Sequence, residues 1–131
     1  MKKKHIGIFA IFICTFCFIS CTNAGAGNNN SESKSFPSLK IVSNYSGYIY
    51  RVGLVGYSFD DLQILNNESK TFELKNGIPG GNDNVNVTLS FRPDSIHMDS
   101  RNPASIKCNF QNGKTTVITL PESGGLIVSY Q

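Results

Sequence analysis

The sequence predicts an all-β fold: a single small antiparallel β-sandwich of about seven strands, set behind a leader and a flexible tether. Three observations predict it. From Pro37 to Gln131, short runs of β-branched and aromatic residues recur between Gly, Asn, Asp and Pro clusters, and no stretch keeps a long helical period. Val85, Val87, Leu89 and Phe91 alternate with Asn86, Thr88, Ser90 and Arg92, the pattern of a strand with one face buried and one wet. Residues 1–36 stand outside this pattern, as an apolar run behind three lysines followed by a polar tract.

The leader comes first. Lys2, Lys3 and Lys4 precede an apolar run from Ile6 to Ile19, closed by Ser20 and Cys21. A charged start, an apolar core and small residues at the exit form a secretory signal. As a helix at 1.5 Å per residue the run reaches roughly 21 Å, short of the ~30 Å hydrocarbon core, so a permanent span is the weaker reading. Phe18-Ile19-Ser20-Cys21 resembles the lipobox of bacterial lipoproteins, with Phe18 where that family usually has leucine. The resemblance implies a diacylglyceryl group on the Cys21 sulfur, cleavage before Cys21 by signal peptidase II, and an acylated (palmitate-type) N-terminus. Residues 1–20 would then be discarded, and Cys21 would be a membrane anchor rather than a catalytic residue. Two or more acyl chains, at ~0.8 kcal/mol per buried CH₂, hold a protein stably. Thr22 stands where the enterobacterial sorting rule places the Asp that retains lipoproteins in the inner membrane. The resemblance thus implies the outer membrane. A second site competes: Ala24-Gly25-Ala26 is an A-x-A exit for the ordinary signal peptidase, and cutting there releases a soluble chain starting at Gly27.

Residues 21–36 hold the lipidation cysteine and a linker. Thr22 to Phe36 is rich in Asn, Ser, Gly and Ala without apolar periodicity, too poor in apolar area to offset its ordering entropy. As a random coil it spans roughly 20 Å.

The domain occupies residues 37–131. Leu39 to Ser43 is the first strand, ended by Asn44-Tyr45-Ser46-Gly47. Tyr48 to Val55 is the second, with Tyr48, Tyr50, Val52 and Leu54 expected on one face. A loop runs from Gly56 to Asn67, in which Phe59 to Leu65 forms a helical turn or an edge strand. Ser69 to Lys75, the Val85–Arg92 run and Ala104 to Phe110 are the next three strands. Asn112-Gly113 predicts a tight hairpin into Lys114 to Leu120. Leu126 to Tyr130 is the last. The spacing suggests a sandwich of immunoglobulin-like or transthyretin-like architecture, although the Cys…Trp…Cys signature of immunoglobulins is missing.

Composition narrows the function classes. Of twelve basic residues three lie in the leader, leaving nine basic against nine acidic from Cys21 onward. Nothing in that balance points to nucleic acid. Cys14 and Cys17 leave with the leader and Cys21 takes the lipid. Cys108, in step with Ile106 and Phe110, then reads as a small buried hydrophobe. Asp94, Ser95, His97, Asp99 and Arg101 crowd one loop, but a triad is assembled from separated segments and no G-x-S-x-G turn is present. One His and one Cys make no zinc pattern, and Asp60-Asp61 and Asn82-Asp83-Asn84 match no calcium loop. No cofactor, metal or catalytic residue is assigned. Tyr45, Tyr48, Tyr50, Tyr57 and Phe59 are the most suggestive group. Tyr48 and Tyr50 are expected in the core with Tyr45, Tyr57 and Phe59 capping its edge; the alternative makes Tyr45, Tyr57 and Phe59 ligand-binding aromatics for a glycan or an envelope protein. The function expected is a lipid-anchored, non-enzymatic envelope protein with a binding or structural role. The alternative is a secreted carbohydrate- or protein-binding module released after Ala26.

Overall fold

Strand alternation sets which side chains turn inward, and in a computed structural model describing residues 35–93 and 102–131 it does so on eight strands. These are β1 (Ser38–Asn44), β2 (Tyr48–Leu54), β3 (Tyr57–Phe59), β4 (Ser69–Glu73), β5 (Val85–Arg92), β6 (Asn102–Cys108), β7 (Thr115–Pro121) and β8 (Ile127–Tyr130). They form two four-stranded sheets, ordered β4-β1-β7-β8 and β3-β2-β5-β6, packed as a sandwich. The leader, Cys21, the Ala24-Gly25-Ala26 site and the loop carrying Asp94 to Arg101 lie outside the described residues.

The core lies between the sheets. Leu39 and Ile41 of β1 with Ile118 and Leu120 of β7 form one side; Ile49 and Val52 of β2 with Val87 and Leu89 of β5 form the other, all fully buried. Each such side chain contributes on the order of 1.5–3 kcal/mol through burial. Phe72, Leu74, Ile78 and Phe110 close the remaining volume. Among the described residues two polar side chains are also buried, Ser43 and Thr116. Thr116 Oγ1 donates to the Asn109 carbonyl at 2.9 Å, so its hydroxyl is satisfied.

Four features differ from the sequence expectation. First, β1 pairs β7 in parallel, Leu39 opposite Thr116 and Ile41 opposite Ile118; the other strand pairs are antiparallel. A parallel pair needs a long crossover, which the excursion of the chain through the second sheet supplies. Because β1 and β2 lie in different sheets, the strand order is also not that of the immunoglobulin constant domain.

Second, the extra strand is β3, which pairs β2 across a two-residue turn at Val55-Gly56. The Phe59–Leu65 segment makes neither a helical turn nor a continuous strand. It leaves β3 after Phe59 and meets β2 again through the Leu62 N–H on the Tyr50 carbonyl at 2.9 Å and an isolated bridge, Ile64 opposite Ile49. Third, Asn112-Gly113 is not a hairpin between paired neighbours, because β6 and β7 lie in different sheets. The ladder stops at Cys108; Phe110 turns into the core, and its N–H bonds the Asn82 carbonyl at 2.8 Å.

Fourth, a β-bulge in β2 shifts the register between Ile49 and Arg51. An extra residue reverses the facing of everything before it. Val52 and Leu54 face inward as expected, but Ile49 takes the inner position and Tyr48 and Tyr50 are only half-buried. The expectation that Tyr48 and Tyr50 belong to the core is corrected by that single residue.

The two ends of the domain meet on one side. Ser38 N–H bonds the Lys114 carbonyl at 3.0 Å, and Gly113 N–H bonds the Phe36 carbonyl at 3.2 Å. Thr115 and Gln131 exchange a pair of bonds at 3.0 and 2.9 Å.

Gly56 meets two constraints at once. Its φ is +78°, and a Cβ there would lie 2.7 Å from two ring carbons of Pro79. Gly56→Ala is therefore expected to lower unfolding stability by about 1–3 kcal/mol, measured by urea denaturation. An unchanged midpoint would contradict this account of the turn.

Candidate functional site

The aromatic residues singled out in the sequence occupy two separate places. Tyr45 lies before β2 and meets Phe91 edge-on, with ring centres 5.0 Å apart at 70°. Tyr57 lies alongside the far end of β2, opposite Leu54. The length of that strand, about 20 Å at 3.3 Å per residue, separates the two. Tyr57 stacks on Phe59 at 5.9 Å, and Phe59 stacks on Phe72 at 4.2 Å, joining β3 of one sheet to β4 of the other. The Tyr57 hydroxyl donates to the Gly77 carbonyl at 2.9 Å and accepts the Asn76 N–H at 3.0 Å. Tyr45, Tyr57 and Phe59 are all partly buried against the core. They do not form one surface.

Among the described residues no three His, Cys, Asp or Glu side chains gather as a metal-binding group. Asp60 is paired instead with Arg51, Oδ1 to Nε at 2.9 Å. Asn84 N–H bonds the Asn109 side-chain oxygen at 2.8 Å, tying the start of β5 to the end of β6. Cys108 is buried on the inner side of β6, and burial pushes its thiol up to about 11. A thiol kept protonated at neutral pH is a poor nucleophile.

The bulge creates a different assembly, on the outer face of the β3-β2-β5-β6 sheet. Since Val52, Leu54, Val87 and Leu89 point inward, the residues alternating with them point out. The pairing register arranges these in rows across the strands. Tyr48 lies opposite Arg92. Arg51, Ser90 and Pro103 form the next row. Ser58, Gly53, Thr88 and Ser105 form the third, which crosses all four strands. Asn86 and Lys107 follow.

Chemistry concentrates at one end of this face. The Arg92 guanidinium carbon lies 4.2 Å from the Tyr50 ring centre and 5.5 Å from that of Tyr48, within cation–π range of both. Its Nε is buried without a hydrogen-bond partner among the described residues. Next to it, Arg51 Nη2 donates to Ser58 Oγ at 3.3 Å, and Ser58 Oγ donates to Asp60 Oδ2 at 2.8 Å. Two open depressions share Arg51 and Ser90. One of about 460 Å³ lies over Gly53, Asn86 and Thr88; the other, of about 380 Å³, lies among Tyr50, Arg92, Asp60, Asp61 and Pro103.

Sequence reasoning finds half of this face. The wet alternation of Asn86, Thr88, Ser90 and Arg92 is legible, whereas the turning outward of Tyr48 and Tyr50 depends on a bulge with no glycine or proline to mark it. The remaining signal was Gly53, an unforced glycine inside a strand. The chain matches no protein-family model, no curated protein and no solved structure.

The raised Cys108 pKa has a thermodynamic consequence. The folded thiol holds its proton above the pH at which the unfolded chain releases it, so its contribution is complete below about pH 9 and lost as pH rises toward 11. Unfolding stability is expected to fall across that window by up to roughly 2–3 kcal/mol more in the parent than in Cys108→Ala. Identical slopes in parallel denaturation series would contradict the assignment.

Proposed function

We propose that the protein is a non-enzymatic, lipid-anchored component of a bacterial cell envelope that holds one β-sandwich away from the membrane as a binding module. The observation that carries the anchor is the sequence Phe18-Ile19-Ser20-Cys21 at the end of the apolar run, followed by a polar tract before β1 begins at Ser38. A tract of this length gives the domain a reach of roughly 20 Å from the acylated cysteine. Lipid on Cys21 supplies the membrane partner, and Thr22 favours the outer membrane over the inner one. The binding role is supported by the open outer face of the β3-β2-β5-β6 sheet, with polar groups over both depressions. No cofactor enters this reading.

A second reading has its own observation. Ala24-Gly25-Ala26 offers cleavage to a soluble, secreted form of the same module. The intact mass of the protein from its native membrane fraction separates the two. The anchored form is expected as a chain beginning at acylated Cys21, and Cys21→Ala is expected to move the protein out of the membrane fraction. A soluble, unacylated chain beginning at Gly27 would overturn the anchor and establish the secreted form.

A further inference from the structure

The geometry points to a binding groove for an oligosaccharide chain on the outer face of the β3-β2-β5-β6 sheet, running across the strands along Ser58, Gly53, Thr88 and Ser105. This rests on the reading of the domain as a binding module and names its ligand class.

Gly53 is the first argument. It lies inside β2, which pairs on both sides, where glycine weakens a strand by roughly 0.5–1 kcal/mol relative to alanine. The usual reasons for a glycine do not hold here. Its φ lies outside the left-handed region, and a Cβ on it would meet nothing within 4 Å. What the missing side chain does is keep the row open between Ser58 and Thr88. Glycine in a strand interior often marks close approach by a ligand.

The dimensions and chemistry of the row give the ligand class. Four strands at ~4.8 Å spacing make a track roughly 14 Å long, suited to an extended chain. Its floor is glycine and three hydroxyl residues, with Thr88 and Ser105 hydroxyls 2.8 Å apart. Such a floor offers hydrogen bonds and little apolar area, which disfavours acyl chains and hydrophobic peptides. On a sheet face the backbone groups are already paired, so an extended peptide would gain more at an edge than across this row. The adjoining wall carries Arg51 and Arg92 as donors and Asp60 and Asp61 as acceptors, two charges of each sign. Mixed donors and acceptors match hydroxyl groups, which do both, better than they match a polyanion or a polycation. Pro103 adds apolar surface against which the C–H face of a pyranose packs. The Arg92 clasp fixes Tyr50 in advance, so little order remains to be imposed on binding.

The test is calorimetric titration of the full chain, purified in detergent, with chitohexaose, cellohexaose and maltohexaose. At least one is expected to bind saturably. Gly53→Tyr sets its Cβ in open space on a backbone without positive φ, and is expected to melt no lower than the parent while weakening that binding at least about tenfold. Ser105→Tyr, at the exposed β6 end of the row, is expected to act in the same direction and serves if Gly53→Tyr does not fold. Failure of all three sugars to bind the parent would overturn the groove, as would parent-like binding by a folded blocking variant. Neither result bears on the mass of the Cys21 chain, so the anchor and the groove fail separately.

Discussion

The structure depends most on the parallel pairing of β1 with β7. These are the two inner strands of their sheet: β4 attaches to β1, and β8 attaches to β7. Leu39 and Ile41 on one and Ile118 and Leu120 on the other are fully buried, so the pairing also builds one wall of the core. It joins residues from opposite ends of the domain, Ser38 to Thr115 and Asn44 to Pro121. Contacts of such sequence separation carry a loop-closure cost before they return any stability. The opposite sheet is cheaper to form, because β2, β3, β5 and β6 join through shorter separations.

The division between what could and could not be read in the sequence follows the same physics. β5 was fully legible because its alternation is unbroken over eight residues, and its inner and outer faces are as the pattern states. β2 departs from its alternation over half its length, since one bulged residue reverses parity and composition does not reveal it. β3 leaves no mark in the pattern because three residues are too few to show a period. The Asn-Gly signal was real, with Gly113 at φ +74° and a turn bond from Lys114 to Gln111, but a local turn carries no information on whether its flanking strands pair.

For the candidate site the outcome is mixed in an instructive way. Tyr45, Tyr57 and Phe59 pack at the edge of the core, Tyr45 against Phe91, and Tyr57 and Phe59 in the stack that ends on Phe72. Those placed in the core, Tyr48 and Tyr50, face outward and hold Arg92. Ligand chemistry in a small sandwich sits where the fold has surplus, and the outer face of a sheet is surplus once its inner face has made the core. The polar residues of β5 and the gap at Gly53 lie on that outer face, outside the core.

The meeting of both domain ends on one side has a mechanical meaning. Consider a pull on the chain at Ser38 directed along the axis of β1. The bonds of β1 to β4 on one flank and to β7 on the other then bear the load side by side, in shear, rather than parting one after another as in an opening zipper. β1 is thus braced on both flanks against such a pull, and a load taken up on the far sheet reaches it through the core.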